Sequence, residues 1–95
     1  MVGVQGARSA LPEDVQRSLR AAFASEVAAR LPQLRAPLED RTAALHHAHT
    51  LASSAWVVGE HRISTLARAV EEQLEQGAPT DDLEELVAAL EAFAP

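Results

Sequence analysis

Apolar and polar positions alternate along this chain in four helical registers, and the breaks between them carry the residues that end helices. From Leu11-Pro12-Glu13-Asp14 onward, apolar side chains recur every four positions as Val15, Leu19, Phe23 and Val27. That spacing lines them up on one helical face. Proline and two acids in the opening turn suit a helix N-terminus, where a missing N–H is harmless and the macrodipole favours negative charge. Pro32 predicts a kink or restart near Leu31, and Pro37 an end to whatever continues through Leu34, because each proline removes a helical hydrogen bond. The stretch Pro37 to Arg41 reads as a turn.

A second helix is expected from about Asp40 to Val58, with Leu45, Ala48, Leu51, Ala55 and Val58 facing inward and Gly59 as its C-cap. A third should run from about His61 to Gln76, burying Ile63, Leu66, Val70 and Leu74 and ending at Gly77-Ala78-Pro79. The fourth opens at Thr80 as N-cap, followed by Asp81 and Asp82, and buries Leu83, Leu86, Leu90 and Phe93. Short connections make sequential helices neighbours, so the pattern predicts an all-α, antiparallel four-helix bundle over residues 11–95, its first helix kinked near Pro32. Residues 1–10 show no sustained periodicity and read as a flexible lead-in.

Composition narrows the chemistry. Of 95 residues, 47% are hydrophobic and only 3% aromatic, so the core must be built from Leu, Val and Ala. The net charge of −6 and the lack of a Lys/Arg cluster argue against nucleic-acid binding, which rests on cationic contacts to phosphate. Cysteine is absent, which removes disulfides and thiolate metal sites and fits the cytoplasm, the expected location. No segment approaches the ~18 uninterrupted apolar residues of a membrane span. From Glu60 onward nine acids face only Arg62 and Arg68, so the last two helices should be acidic outside. No Gly-rich phosphate loop, nucleotide-binding βαβ pattern or converging carboxylate pair suggests a self-contained enzyme.

The unusual feature is His46-His47-Ala48-His49, in mid-helix, in a chain with four histidines in all. At 100° per residue Leu51 falls on the side away from His49, whereas His46, Ala52, Ser53 and Trp56 share its face. His49 is thus expected to be exposed. Imidazole titrates near neutral pH and offers an accessible nitrogen lone pair, as a phosphoryl acceptor requires. Solvation alone is the plain alternative for a surface histidine. A shared metal ion on His46 and His49 is a further reading, disfavoured because His47 points elsewhere and no carboxylate lies one turn from both.

The run His49-Thr50-Leu51-Ala52-Ser53-Ser54-Ala55-Trp56-Val57-Val58-Gly59 resembles the signature of histidine-containing phosphotransfer (HPt) domains, in which His is followed by x-Leu-Lys-Gly-Ser and a Gly ten residues on. His49, Leu51, Ser54 and Gly59 match in register, and the resemblance extends over about residues 12–94, including Phe23, Pro32 and the stripe from Ile63 to Leu74. Two positions depart from it. Ala52 stands where the family usually has Lys, and Ser53 where it usually has Gly; the whole sequence contains no Lys.

The resemblance implies a phosphoryl carrier of a two-component phosphorelay, with His49 accepting the group from a receiver-domain aspartate or a histidine kinase. It implies no cofactor on this chain, Mg2+ belonging to the receiver, and a monomer. His46, one turn before His49, and Arg62, just after Gly59, are the candidates to assist in place of the missing lysine. Ala52, Ser53 and Trp56 are the candidate docking residues, with Trp56 as an anchor or an obstruction. The alternative is a degenerate adaptor of the same shape that binds a kinase or receiver without being phosphorylated, a reading that Ala52 and Ser53 favour. A plain helical oligomerisation module is a third possibility, for which the acidic faces and absent heptad seam are unhelpful.

Overall fold

The computed structural model describes residues 11–35 and 40–93. Among these there are four α-helices and no strand: α1 (Glu13–Arg30), α2 (Arg41–Val57), α3 (His61–Glu75) and α4 (Leu83–Phe93). A 3₁₀ turn over Leu31–Leu34 follows α1, with Pro32 near its start. At Pro32, where the sequence predicts a kink, the chain changes helix type, which suits a residue that cannot continue the i to i−4 ladder. The expected lead-in over residues 1–10 and most of the turn at Pro37 to Arg41 lie outside the described residues.

Local chemistry sets the helix ends. The Asp40 carboxylate accepts a 3.0 Å hydrogen bond from the Ala43 amide and caps α2. Gly59 has φ +83°, and beyond α2 the Glu60 amide donates to the Ala55 carbonyl at 2.8 Å. This is the reversed turn that a glycine closes without a Cβ penalty. Gly77 repeats it after α3 with φ +66° and a 2.9 Å bond from the Ala78 amide to Gln73. The last helix begins later than expected. Thr80 is not its cap: α4 starts at Leu83, and its first ladder bond runs from the Leu86 amide to the Asp82 carbonyl. Thr80 instead belongs to a turn that receives the Leu83 amide at 3.1 Å.

Cross-helix bonds fix the directions. Glu26 meets Ser54, while Arg30, further along α1, meets His47, earlier on α2. Along the next pair, Ser64 meets Ala52 and Glu71 meets His49; along the last, Arg62 meets Glu85 and Gln73 meets Asp82. Each successive helix therefore runs antiparallel to the one before.

The core holds Phe23, Val27, Leu31, Leu34, Leu51, Ile63, Val70, Leu74, Leu83, Leu86 and Leu90, with Ala44, Ala48, Ala52, Ala55 and Ala67 between them. Each fully buried Leu or Val contributes on the order of 1.5–3 kcal/mol by leaving water. Six expected core positions sit nearer the surface: Val15 is 39% exposed, and Leu19, Leu45, Val58, Leu66 and Phe93 are only partly buried. On α2 the buried face is centred on the small residues beside Leu45 and Val58. Alanines at 44, 48, 52 and 55 face α3, whose Ser64 and Ala67 are equally small, so little but methyl groups separates the two backbones. The buried Ser64 hydroxyl donates 2.8 Å to the Ala52 carbonyl, satisfying itself and pinning the register. At the opposite side Phe93 packs edge-to-face on Phe23, centroids 4.9 Å apart.

Candidate functional site

The inward face of α2 dictates what its outer face presents. With Ala44, Ala48, Leu51, Ala52 and Ala55 buried, residues 46, 49, 53 and 56 form the exposed stripe at spacings of three and four. His46, His49, Ser53 and Trp56 occupy it, and Val57, 54% exposed, lies beside them. Each of these elements is rigidly backed by the alanine-lined contact with α3.

His49 has 65% of its side chain exposed, yet one ring nitrogen is held. Its Nδ1 lies 2.7 Å from Oε2 of Glu71 on α3. An ionised carboxylate has no proton to give, so Nδ1 is the donor and the Nδ1–H tautomer is selected. The lone pair then resides on Nε2. Glu71 is the partner of His49 that the sequence pattern does not single out, where it counts only as one of the outer acids. Counting outward from the Gly59-Glu60 turn brings position 71 level with position 49, a signal present in the sequence but usable only once the turn is placed.

His47, two residues earlier with Ala48 between, meets the opposite partner. Arg30 of α1 donates to its Nδ1 at 2.9 Å, which requires that nitrogen to accept and puts the ring proton on Nε2. Burial first, then the Arg30 guanidinium and His46, hold His47 below the usual imidazole range. Arg30 is also 3.3 Å from Glu26 through Nε, without the alignment of a hydrogen bond, and Glu26 accepts from the Ser54 hydroxyl at 2.9 and 3.1 Å. Ser54 therefore ties α2 to α1 and does not face outward.

The remaining candidates separate. His46 is exposed one turn before His49, its ring 5.9 Å from that of His47. Trp56, 49% exposed, stacks on His61 across the α2–α3 turn at 4.4 Å, which fixes the indole at the end of the stripe. Ser53 is exposed beside His49. Ala52 is corrected: at 2% exposure its methyl packs inside against α3, and no partner can touch it. The 100° step alone places it at the edge of the stripe, and the close approach of α3 covers that edge. Arg62 is corrected as well. It lies nine residues before Glu71, about two and a half turns and hence on the opposite side of α3, and its guanidinium pairs with Glu85 of α4.

Among the described residues no group of three His, Asp or Glu side chains is arranged to hold a metal ion, and no helix is long and apolar enough to cross a membrane. What the arrangement offers chemically is one imidazole with a fixed tautomer, an outward lone pair and a carboxylate behind it. Residues 18–94 match the family model of the Hpt domain. No curated protein and no solved structure gives a significant match to the chain.

Proposed function

This chain belongs to the Hpt domain family, whose members are phosphocarrier modules of two-component signalling, and we propose that within it His49 is the residue that carries the phosphoryl group. The observation that carries this reading is the 2.7 Å contact between His49 Nδ1 and Glu71. A nucleophile attacking phosphorus needs a directed lone pair, and the carboxylate supplies that by keeping the proton on Nδ1. Attack by Nε2 forms the N–P bond as the bond from phosphorus to the donor aspartate's oxygen breaks, and the aspartate leaves as a carboxylate. The ring keeps its Nδ1 proton and becomes positively charged, and Glu71 stabilises that charge. No separate base is required.

Such a transfer passes through a loose transition state dominated by positioning and electrostatics. The carrier's share is a rigid, exposed imidazole, and the partner receiver domain supplies Mg2+ and the acidic pocket. The docking surface on this reading is the stripe of His46, Ser53 and Trp56 with Val57, apolar at one end and polar at the other. His46 is a rim residue of that surface. Residues 11–95 act as the carrier domain, a cytoplasmic monomer that meets a receiver or a histidine kinase transiently.

The test is phosphoryl transfer from labelled receiver domains to the wild type and to His49→Gln, under conditions that preserve acid-labile phosphohistidine. Label on the wild type and none on the variant is expected. Binding of a receiver with no label on the folded wild type would replace this reading with that of an unphosphorylated adaptor.

A further inference from the structure

The phosphoryl group that reaches His49 is anionic, and the surface it must approach is acidic. Glu71 stands behind the imidazole, and Glu72 and Glu75 continue along the outer side of α3. Charge spread over three equatorial oxygens calls for a cation at the site of transfer. The position that usually supplies one is Ala52 here, buried, and the sequence contains no lysine.

The arginines of the described residues are almost all committed elsewhere. Arg17 pairs with Glu13, Arg20 with Glu60, Arg35 with Glu91 and Arg62 with Glu85; Arg30 holds Glu26 and His47, and Arg41 donates to the Ala78 carbonyl. Arg68 is the exception. Among the described residues it is the one arginine whose guanidinium makes no hydrogen bond or ion pair, although Glu72 lies four residues on, where such pairs commonly form. Glu72 accepts from Gln76 instead.

Register places Arg68 at the site. It is exposed and sits one turn before Glu71, on the same side of α3. Because α2 and α3 run antiparallel with 71 level with 49, three residues back on α3 is level with three residues forward on α2. Position 68 therefore stands beside position 52, where the helix contributes no cation of its own. Its axial offset from Glu71 is about 4.5 Å, a span that an extended arginine side chain covers.

Building on the assignment of His49, we propose that Arg68 is a catalytic residue of this domain: from the neighbouring helix it pairs with the phosphoryl oxygens on His49, taking the place of the lysine the sequence lacks. Arginine suits this position because its planar fork binds two phosphoryl oxygens at once and stays charged at any working pH. It also has an unusual consequence. The cation and Glu71 share one helix, so α3 governs both the charge on the ring and the charge on the phosphoryl.

The experiment compares wild type, Arg68→Ala and Arg68→Lys, with Arg62→Ala as a control for loss of a surface arginine. Each is phosphorylated by a cognate phosphorylated receiver and, without any partner, by the small donor phosphoramidate. The phosphorylated forms are then titrated by 31P NMR. Arg68→Ala is expected to slow labelling at least about tenfold with both donors, and to raise the midpoint at which the doubly charged phosphoryl takes up a proton. Arg68→Lys should restore most of both. A merely structural role would not move the 31P midpoint. Equal rates and an unshifted midpoint in Arg68→Ala, with label still confined to His49, would overturn the role of Arg68 alone. Label that persists in His49→Gln, or none on the wild type from either donor, would overturn the assignment of His49 and this inference with it.

Discussion

His47 and His49 occupy the same helix two residues apart, and the neighbouring helices treat them oppositely. On the α1 side an arginine donates to Nδ1 of His47; on the α3 side a glutamate accepts from Nδ1 of His49. One partner forces the proton onto Nε2 and opposes a charge on the ring. The other fixes the proton on Nδ1 and turns the Nε2 lone pair outward. The side chain type is identical in the two places, so the chemistry resides in the helix packed against it. On the proposed function, the partner on α3 sets His49 apart from His47 more than exposure does.

The sharpest way to break the contrast is to give His49 the partner that His47 has. Glu71→Arg should move the ring proton of His49 to Nε2 and reduce transfer to the background of His49→Gln, and 15N NMR of the imidazole would report the change of tautomer. Thermal unfolding would verify that the variant is folded, since the Glu71 side chain is still 22% exposed and no core residue is disturbed. Survival of transfer at the wild-type rate would separate activity from the tautomer.

A gentler change divides the two things Glu71 does. In Glu71→Gln the side-chain carbonyl still accepts from Nδ1, so the tautomer is kept while the charge is lost. Exchanging a charge-assisted hydrogen bond for a neutral one gives up about 1–1.5 kcal/mol, so a loss of about tenfold is expected here. The phosphorylated form should also hydrolyse faster, because the positive ring is left without its carboxylate. A single-turnover time course reads both.

The helix order, the closures at Gly59 and Gly77, the start of α2 near Asp40 and the exposure of His49 are legible because each depends on periodicity or on a local backbone demand. The partners of the histidines are not. Glu71 belongs to the site through the register of α3 against α2, which the Ser64 to Ala52 bond and the turn at Gly59 set together. Ala52 is misplaced for the same reason: an alanine at the edge of a polar stripe faces in or out according to how closely the next helix approaches. Arg62 follows Gly59 closely in sequence, yet the first turn of α3 swings it toward Glu85. Thr80 has the chemistry of a cap, and the turn that brings Asp82 to Gln73 takes precedence.

The α1 side of the contrast is structural, and its variants should affect folding and leave transfer alone. Ser54→Ala removes the hydroxyl that donates to both Glu26 oxygens, at a cost of about 1 kcal/mol in chemical denaturation. His47 adds a dependence on pH. The folded protein holds its imidazole below the ordinary value through burial, Arg30 and His46, whereas the unfolded chain protonates near pH 6.5. Between the two values the unfolded state binds more protons, so stability from this source is complete above about pH 6.5 and is lost as pH falls toward the folded value. Urea midpoints measured downward from pH 7 should fall, and the His47→Gln variant should show a shallower fall.

The smallest effect belongs to Arg62, whose position tests whether chain proximity or helical register decides membership of the site. Its pair with Glu85 joins two groups that are 66% and 56% exposed, so water screens the attraction and long side chains lose freedom in holding it. Pairs of that kind contribute under about 1 kcal/mol, and Arg62→Ala should shift the urea midpoint barely beyond error. Transfer to His49 should be unchanged, because the guanidinium lies on the side of α3 turned away from Glu71. A clear loss of transfer in a folded Arg62→Ala protein would show that the cation serving the phosphoryl is not chosen by the face of α3 on which it stands. The division drawn between the two sides of this helix would then have to be redrawn around the turn at Gly59.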